Sequence, residues 1–153
     1  MRTALEITTR PVPRGEDEIP QSEILLQGSP TGKLVNGATL EAAVQWRDCY
    51  LLLMTNDIPY EERLSMHLLD RSFALLDTAS LGAAYSTGTF AALQLLEPDQ
   101  VSFRFIGDTL WRVELLTEPE FKVPLLGDPR GVSRPLSFSR RFRVHGNPQP
   151  QTC

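Results

Sequence analysis

Apolar and polar residues alternate on two arms between Val101 and Leu115, around Gly107-Asp108-Thr109. Val101, Phe103 and Phe105 share one face of the first arm. Trp111, Val113 and Leu115 share one face of the second. A period of two residues is the mark of a half-buried strand. A two-residue loop would set Phe103 against Arg112, greasy side chain against charge. A three-residue loop, Gly107 to Thr109, instead pairs Phe105 with Trp111, Phe103 with Val113 and Val101 with Leu115. Shifting a strand by one residue moves every side chain to the other face, so the longer loop is predicted. It also sets Arg104 opposite Arg112 on the outer face, with Glu114 as a diagonal neighbour.

Weaker alternation in Thr3–Val12 predicts a first strand. Pro11, Pro13 and Pro20 punctuate a polar connector over 11–22 and forbid a central strand there, because proline donates no ladder hydrogen bond. Glu23–Leu26 is a short strand, Gly28–Gly32 a turn, and Asn36-Gly37 a hairpin signal joining Lys33–Val35 to Ala38–Leu40. Ala43–Thr55 reads as one central strand. Val44, Trp46, Tyr50, Leu52 and Met54 lie on one face, and Cys49, Leu51 and Leu53 on the other. Apolar residues on both faces from Cys49 onward predict cover on both sides.

Residues 61–81 fit two patterns. As a helix the segment has Asn56 or Asp57 as a cap, Pro59 in the first turn, Glu61 and Glu62 at the positive end of the dipole, and Gly82 as a stop. As strands, Leu64, Met66 and Leu68 alternate, as do Phe73 and Leu75, with Ala79 and Leu81 beyond Asp77. A loop over Asp70–Phe73 then pairs Leu68 with Leu75 and Leu64 with Ala79. The hairpin is preferred because strands flank it. Further strands are expected at Phe90–Leu96, after the turn Glu97–Gln100, and along Leu136, Phe138, Phe142 and Val144. Pro119, Pro124 and Pro129 break up an extended crossing between them, and 146–153 is a tail. The fold class that follows is mainly β: an antiparallel two-layer β-sandwich or meander of about eight strands, in one globular domain over 1–153. The alternative is an α+β domain with a helix near 58–81.

Composition changes this picture little. Apolar residues make up 41% and charged residues 22% of 153, as in ordinary globular domains. Cys49 sits in an apolar run and Cys153 ends the chain, so neither a disulfide framework nor a thiolate metal site is expected. The first ten residues contain no apolar leader, and the longest apolar run is far too short to span a bilayer. The default expectation is a cytoplasmic protein. Charge is uneven. Of 15 bases and 19 acids, Arg130, Arg134, Arg140, Arg141 and Arg143 lie beyond Asp128 with no acid, leaving a net −9 in the first 128 residues. Overall acidity makes nucleic acid an unfavourable partner.

No chemical motif is complete. Gly28-Ser-Pro-Thr-Gly-Lys33 lacks the leading glycine (Gln27) and the hydroxyl (Leu34) of a phosphate-binding loop. Ala84-Tyr-Ser-Thr-Gly88 approximates a nucleophile elbow at Ser86. Asp99, Asp108 or Asp128 and then His145 follow in hydrolase order, but the elbow needs a parallel sheet with crossover helices. His67 and His145 are the two histidines and lack a ligand spacing. Asp57, Glu61 and Glu62 are read as solvated or capping carboxylates. Phe103, Phe105 and Trp111 are assigned to the core rather than to a stacking platform. No catalytic residue, metal or cofactor is assigned. The function expected is protein–protein recognition, as an inhibitor, immunity-type protein or accessory subunit. Arg141, Arg143 and His145 on the last strand are the candidate partner-binding residues, since polarised charge steers association. The alternative is a small hydrolase or ligand-binding β-sandwich built on the Ser86 loop.

Overall fold

The structure, a computed structural model, describes residues 1–15, 18–56, 63–82, 89–106, 109–122, 128–129, 131–135 and 137–146. Its strands, in chain order, are β1 (Arg2–Thr3), β2 (Ile7–Pro11), β3 (Gln21–Leu26), β4 (Ser29–Asn36), β5 (Thr39–Trp46), β6 (Cys49–Thr55) and β7 (Leu64–Leu69). There follow β8 (Leu75–Leu81), β9 (Ala91–Leu96), β10 (Gln100–Arg104), β11 (Leu110–Phe121), β12 (Val132–Ser133) and β13 (Ser139–His145). No helix occurs among the described residues, so none there is long and apolar enough to cross a membrane. The mainly-β antiparallel architecture is as expected, with thirteen strands rather than about eight.

Three antiparallel sheets form. A central one has the order β1-β5-β6-β7-β8-β12, a second β13-β11-β10-β9, and a third β2-β3-β4. The first two make the expected sandwich. Its core contains Val44, Trp46, Leu51, Leu53, Leu64, Met66 and Leu68 from one sheet and Val101, Phe103, Trp111, Val113 and Phe142 from the other. The third sheet adds a layer on the opposite face, where Ile7, Ile24 and Val35 pack on Ala43, Leu52, Met54 and Leu69. The double cover predicted from Cys49 onward is therefore real for β6.

Hairpin β10–β11 buries the predicted face, but its ladder is offset by two residues. Phe103 pairs with Trp111, Val101 with Val113 and Ser102 with Arg112, so Arg104 faces Leu110 rather than another arginine. The offset preserves the face because two residues are one full period. Phe105 leaves the ladder, and its carbonyl accepts a hydrogen bond from Trp111 Nε1 at 2.9 Å. Ile106 turns the chain at φ 60°. Gly107 and Asp108 lie outside the described residues.

Residues 64–81 form the hairpin and not the helix. Leu64 pairs with Leu81, not Ala79, and Leu68 with Asp77. The connection is Asp70–Ala74. There Asp70 Oδ1 accepts from the Ser72 and Ala74 amides at 2.8 and 3.0 Å, and Phe73 has φ 66°.

Three other expectations change. Ala43–Thr55 is not one strand but a hairpin turning at Arg47-Asp48, with Arg47 at φ 54°. Val44 and Trp46 therefore share their face with Leu51 and Leu53, not with Leu52 and Met54. Asn36-Gly37 joins no hairpin: β4 pairs with β3 and β5 with β6, so the dipeptide is a crossover between sheets. A Cβ at Gly37 would sit 2.4 Å from Met54 Cβ, which reserves the position for glycine. Pro119 does not end a strand but lies inside β11, where the ladder to β13 is irregular between Leu115 and Glu120.

Two polar ties close the sandwich sides. Trp46 Nε1 donates to the Pro98 carbonyl at 2.9 Å. On the other side Asp77 Oδ2 accepts from Arg134 Nη1 at 3.0 Å and from the Arg141 amide at 2.7 Å. Arg134 also donates to Asp128 and to the Phe142 carbonyl, and it stacks on the Phe142 ring. A buried cation is tolerable only with this degree of pairing.

Candidate functional site

On hairpin β7–β8, one side chain in two points away from the sandwich core. Those residues are Ser65, His67 and the covered Leu69 on β7 and Thr78 and Ser80 on β8, and the ladder sets Ser65 opposite Ser80 and His67 opposite Thr78. On the same face of β5 and β6 the corresponding positions are Ala43, Leu52 and Met54, all covered by the third sheet. The side chains thus change from apolar to hydroxyl-bearing as the central sheet passes beyond the packed part of that third sheet.

A cleft fills the space left over. One compartment, about 370 Å³, is lined by Ile19, Asn36, Arg63, Ser65, His67 and Ser80, among others. A second, about 310 Å³, is lined by Lys33, Leu34, Phe73 and Leu75. The two share Asn36, His67 and Thr78 as common walls. A third, about 170 Å³, continues past Leu75 towards Ser137 and Ser139.

His67 is the pivot of the floor. Its Nε2 lies 2.8 Å from the Asn36 carbonyl, which can only accept, so this nitrogen carries the proton. Nδ1, 2.9 Å from Thr78 Oγ1, is then free to accept from the hydroxyl. Burial pushes the imidazole below its ordinary range, and the Asn36 carbonyl offsets that only in part. Bonded at both ring nitrogens and 4% exposed, His67 is a strut between β7 and the crossover.

The rim is apolar. Ile19, Leu34 and Leu75 are 59, 52 and 55% exposed and all line the cleft. Single exposed aliphatic residues are ordinary on a protein surface; here Ile19 edges the first compartment, and Leu34 and Leu75 edge the second. Arg63 and Lys33 supply positive charge, and no acid lines the two larger compartments among the described residues. Arg63 reaches Ser80 Oγ at 3.4 Å.

The predicted site residues sit elsewhere, on β13. Arg143 bridges Glu120, and its Nη1 lies 3.5 Å from Glu114. His145 Nε2 is 3.2 Å from the same Glu114 oxygen. Arg140 Nη2 binds Glu120 at 2.6 Å. Hydrogen bonds from Arg143 and then Arg140 hold the Glu120 carboxyl down at about 2. Arg141 contributes its backbone amide to Asp77. Arg140, Arg143 and His145 are therefore met by acids of β11, whereas Arg141 engages Asp77 through its backbone amide alone.

Ser86 and the acidic trio Asp57, Glu61 and Glu62 lie outside the described residues, as do Asp108 and Cys153. Of the other hydrolase candidates, Asp128 is bonded to Arg134 and His145 to Glu114. Phe103, Phe105 and Trp111 are fully buried, which removes them as a ligand platform.

No protein-family model, curated protein or solved structure matches this chain.

Sequence reasoning passed over Ser65, Thr78, Ser80, Arg63 and Asn36. The signal was present in Leu64-Ser-Met-His-Leu68 and Asp77-Thr-Ala-Ser-Leu81, where small polar residues alternate with buried ones. Its meaning depended on where the third sheet ends.

Proposed function

We propose that the chain is a protein–protein recognition domain, in the manner of an inhibitor, immunity-type protein or accessory subunit, and that its partner docks a segment in the β7–β8 cleft. One observation carries this: three exposed aliphatic side chains rim two adjoining compartments whose shared floor is His67 and Thr78. That alternation suits an extended polypeptide, whose side chains reach the rim while its backbone meets the hydroxyls. Arg63 and Lys33 favour a segment carrying acids. Arg143 and His145 serve as a second contact, with Arg141 beside them, only if the partner displaces Glu114 and Glu120, which makes β13 the weaker anchor.

Site-specific photo-cross-linking in the native cell tests this proposal. A photo-reactive phenylalanine analogue replacing Leu75 is expected to yield a discrete cross-linked protein. The same analogue replacing Leu5, which is 84% exposed outside the cleft, is expected to yield none. Equal products at both positions, or a product at Leu5 alone, would overturn the assignment.

A further inference from the structure

Among the described residues the three sheets have six edges, and five are guarded against pairing with another chain. Strand β1 is two residues long and carries Arg2, and β12 is two residues long. Strand β2 carries Arg10 and Pro11, β4 carries Pro30 and Lys33, and β13 carries Arg140, Arg141 and Arg143. Short length, charge and proline are the usual ways to blunt a sheet edge. Strand β9, the sixth, reads Ala-Ala-Leu-Gln-Leu-Leu, with no charge and no proline.

Its burial is equally unusual. Among the described residues, every other strand of five residues or more has at least one buried side chain. Strand β9 has none, although five of its six residues are apolar. Leu93 and Leu95 lean on the core without being covered by it, and Leu96 is exposed. A bulge at Ala92, φ 58°, interrupts the ladder to β10 near its start and leaves Leu93–Leu96 regular.

We infer that β9 is a dimer interface, at which two copies of this chain pair antiparallel about a two-fold axis through Gln94. Residues directly opposite each other in an antiparallel pair lie on the same face, which restricts the register. Placing Gln94 opposite its own symmetry mate sets Leu93 opposite Leu95 on the core face, within the regular stretch of the strand. An amide is both donor and acceptor, so Gln94 is complementary to itself. A charged residue at the same place would meet a like charge. The interface is isologous and closed, so pairing stops at two copies, and the two four-stranded sheets become one of eight. It lies away from the cleft and does not depend on the function proposed for it.

Sedimentation equilibrium of the full chain tests the inference. The wild type is expected to sediment as a dimer, and Gln94→Lys as a monomer with an unchanged far-UV spectrum. A cross-linking variant decides the matter if Gln94→Lys fails to fold. In a Cys153→Ser background, Gln94→Cys is expected to form a disulfide-linked dimer on mild oxidation, since opposed residues on antiparallel strands fall within disulfide range. Leu110→Cys, exposed on the same sheet, is expected to stay monomeric under reducing-agent-free electrophoresis. A monomeric wild type, a Gln94→Lys protein that remains dimeric, or equal cross-linking at both positions would overturn the proposal.

Discussion

The two faces of the central sheet differ in what they are built to do. The face towards β10 and β11 is closed from one end to the other: Leu51, Leu53, Met66, Leu68, Phe103 and Trp111 are all fully buried. The opposite face is packed over β5, β6 and the Leu69 end of β7, and lines a cleft over the rest of β7 and β8, where serine, threonine and histidine replace leucine and methionine. The same strands, with the same period of two, make a core on one side and the floor of a cleft on the other. Substitutions on the closed face should cost stability, and substitutions around the open cleft should cost recognition.

The largest effect belongs to the closed face. Phe103 is fully buried, and its ring centroid lies 5.2 Å from that of Phe90. Phe103→Ala is expected to cost about 3–5 kcal/mol, through lost transfer energy and the cavity left behind. Urea denaturation measures it, and a loss below about 1 kcal/mol would mean that this face is not the tightly packed one.

His67 stands between the two regimes, buried like a core residue yet part of the cleft floor. His67→Leu leaves the Asn36 carbonyl unpaired and is expected to cost about 1–3 kcal/mol. The pH dependence has a definite sign. With its folded pKa below 6.5, His67 stays neutral where the unfolded chain binds a proton, so stability falls as pH drops below about 6.5. Glu120 acts in a separate window. Its folded pKa of about 2, against an ordinary 4.5, adds stability that is present above about 4.5 and lost as pH falls towards 2. Thermal unfolding from pH 7 to 5 should therefore show a decline in the wild type that His67→Leu flattens and Glu120→Gln leaves unchanged.

Alternation was enough to read the faces of β10 and β11 correctly, because burial depends only on parity. The ladder offset was not legible, since both registers bury the same side chains and only the turn, where the Phe105 amide meets the Thr109 carbonyl, separates them. The turn at Arg47-Asp48 contains neither glycine nor asparagine, so Ala43–Thr55 looked continuous. Asn36-Gly37 has the composition of a hairpin turn, yet tertiary packing against Met54 makes it a crossover. The arginines of β13 drew attention because the acidic partners of Arg140 and Arg143, Glu114 and Glu120, are distant in sequence. The cleft was the least legible feature. Ser65 and Ser80 are ordinary strand residues, and what makes them a site is a third sheet that packs over β5, β6 and the Leu69 end of β7 and leaves the rest of the β7–β8 face open.

The contrast between a closed and an open face is tested most directly by affinity capture with Leu34→Glu/Leu75→Glu. Both side chains are exposed, so the unfolding free energy is expected to change by no more than about 0.5 kcal/mol for each substitution. A protein retained by the wild type and by Arg143→Glu, but lost from this double variant, is the predicted result. Retention by the double variant at wild-type yield, with loss from Arg143→Glu, would contradict the account and move recognition to β13.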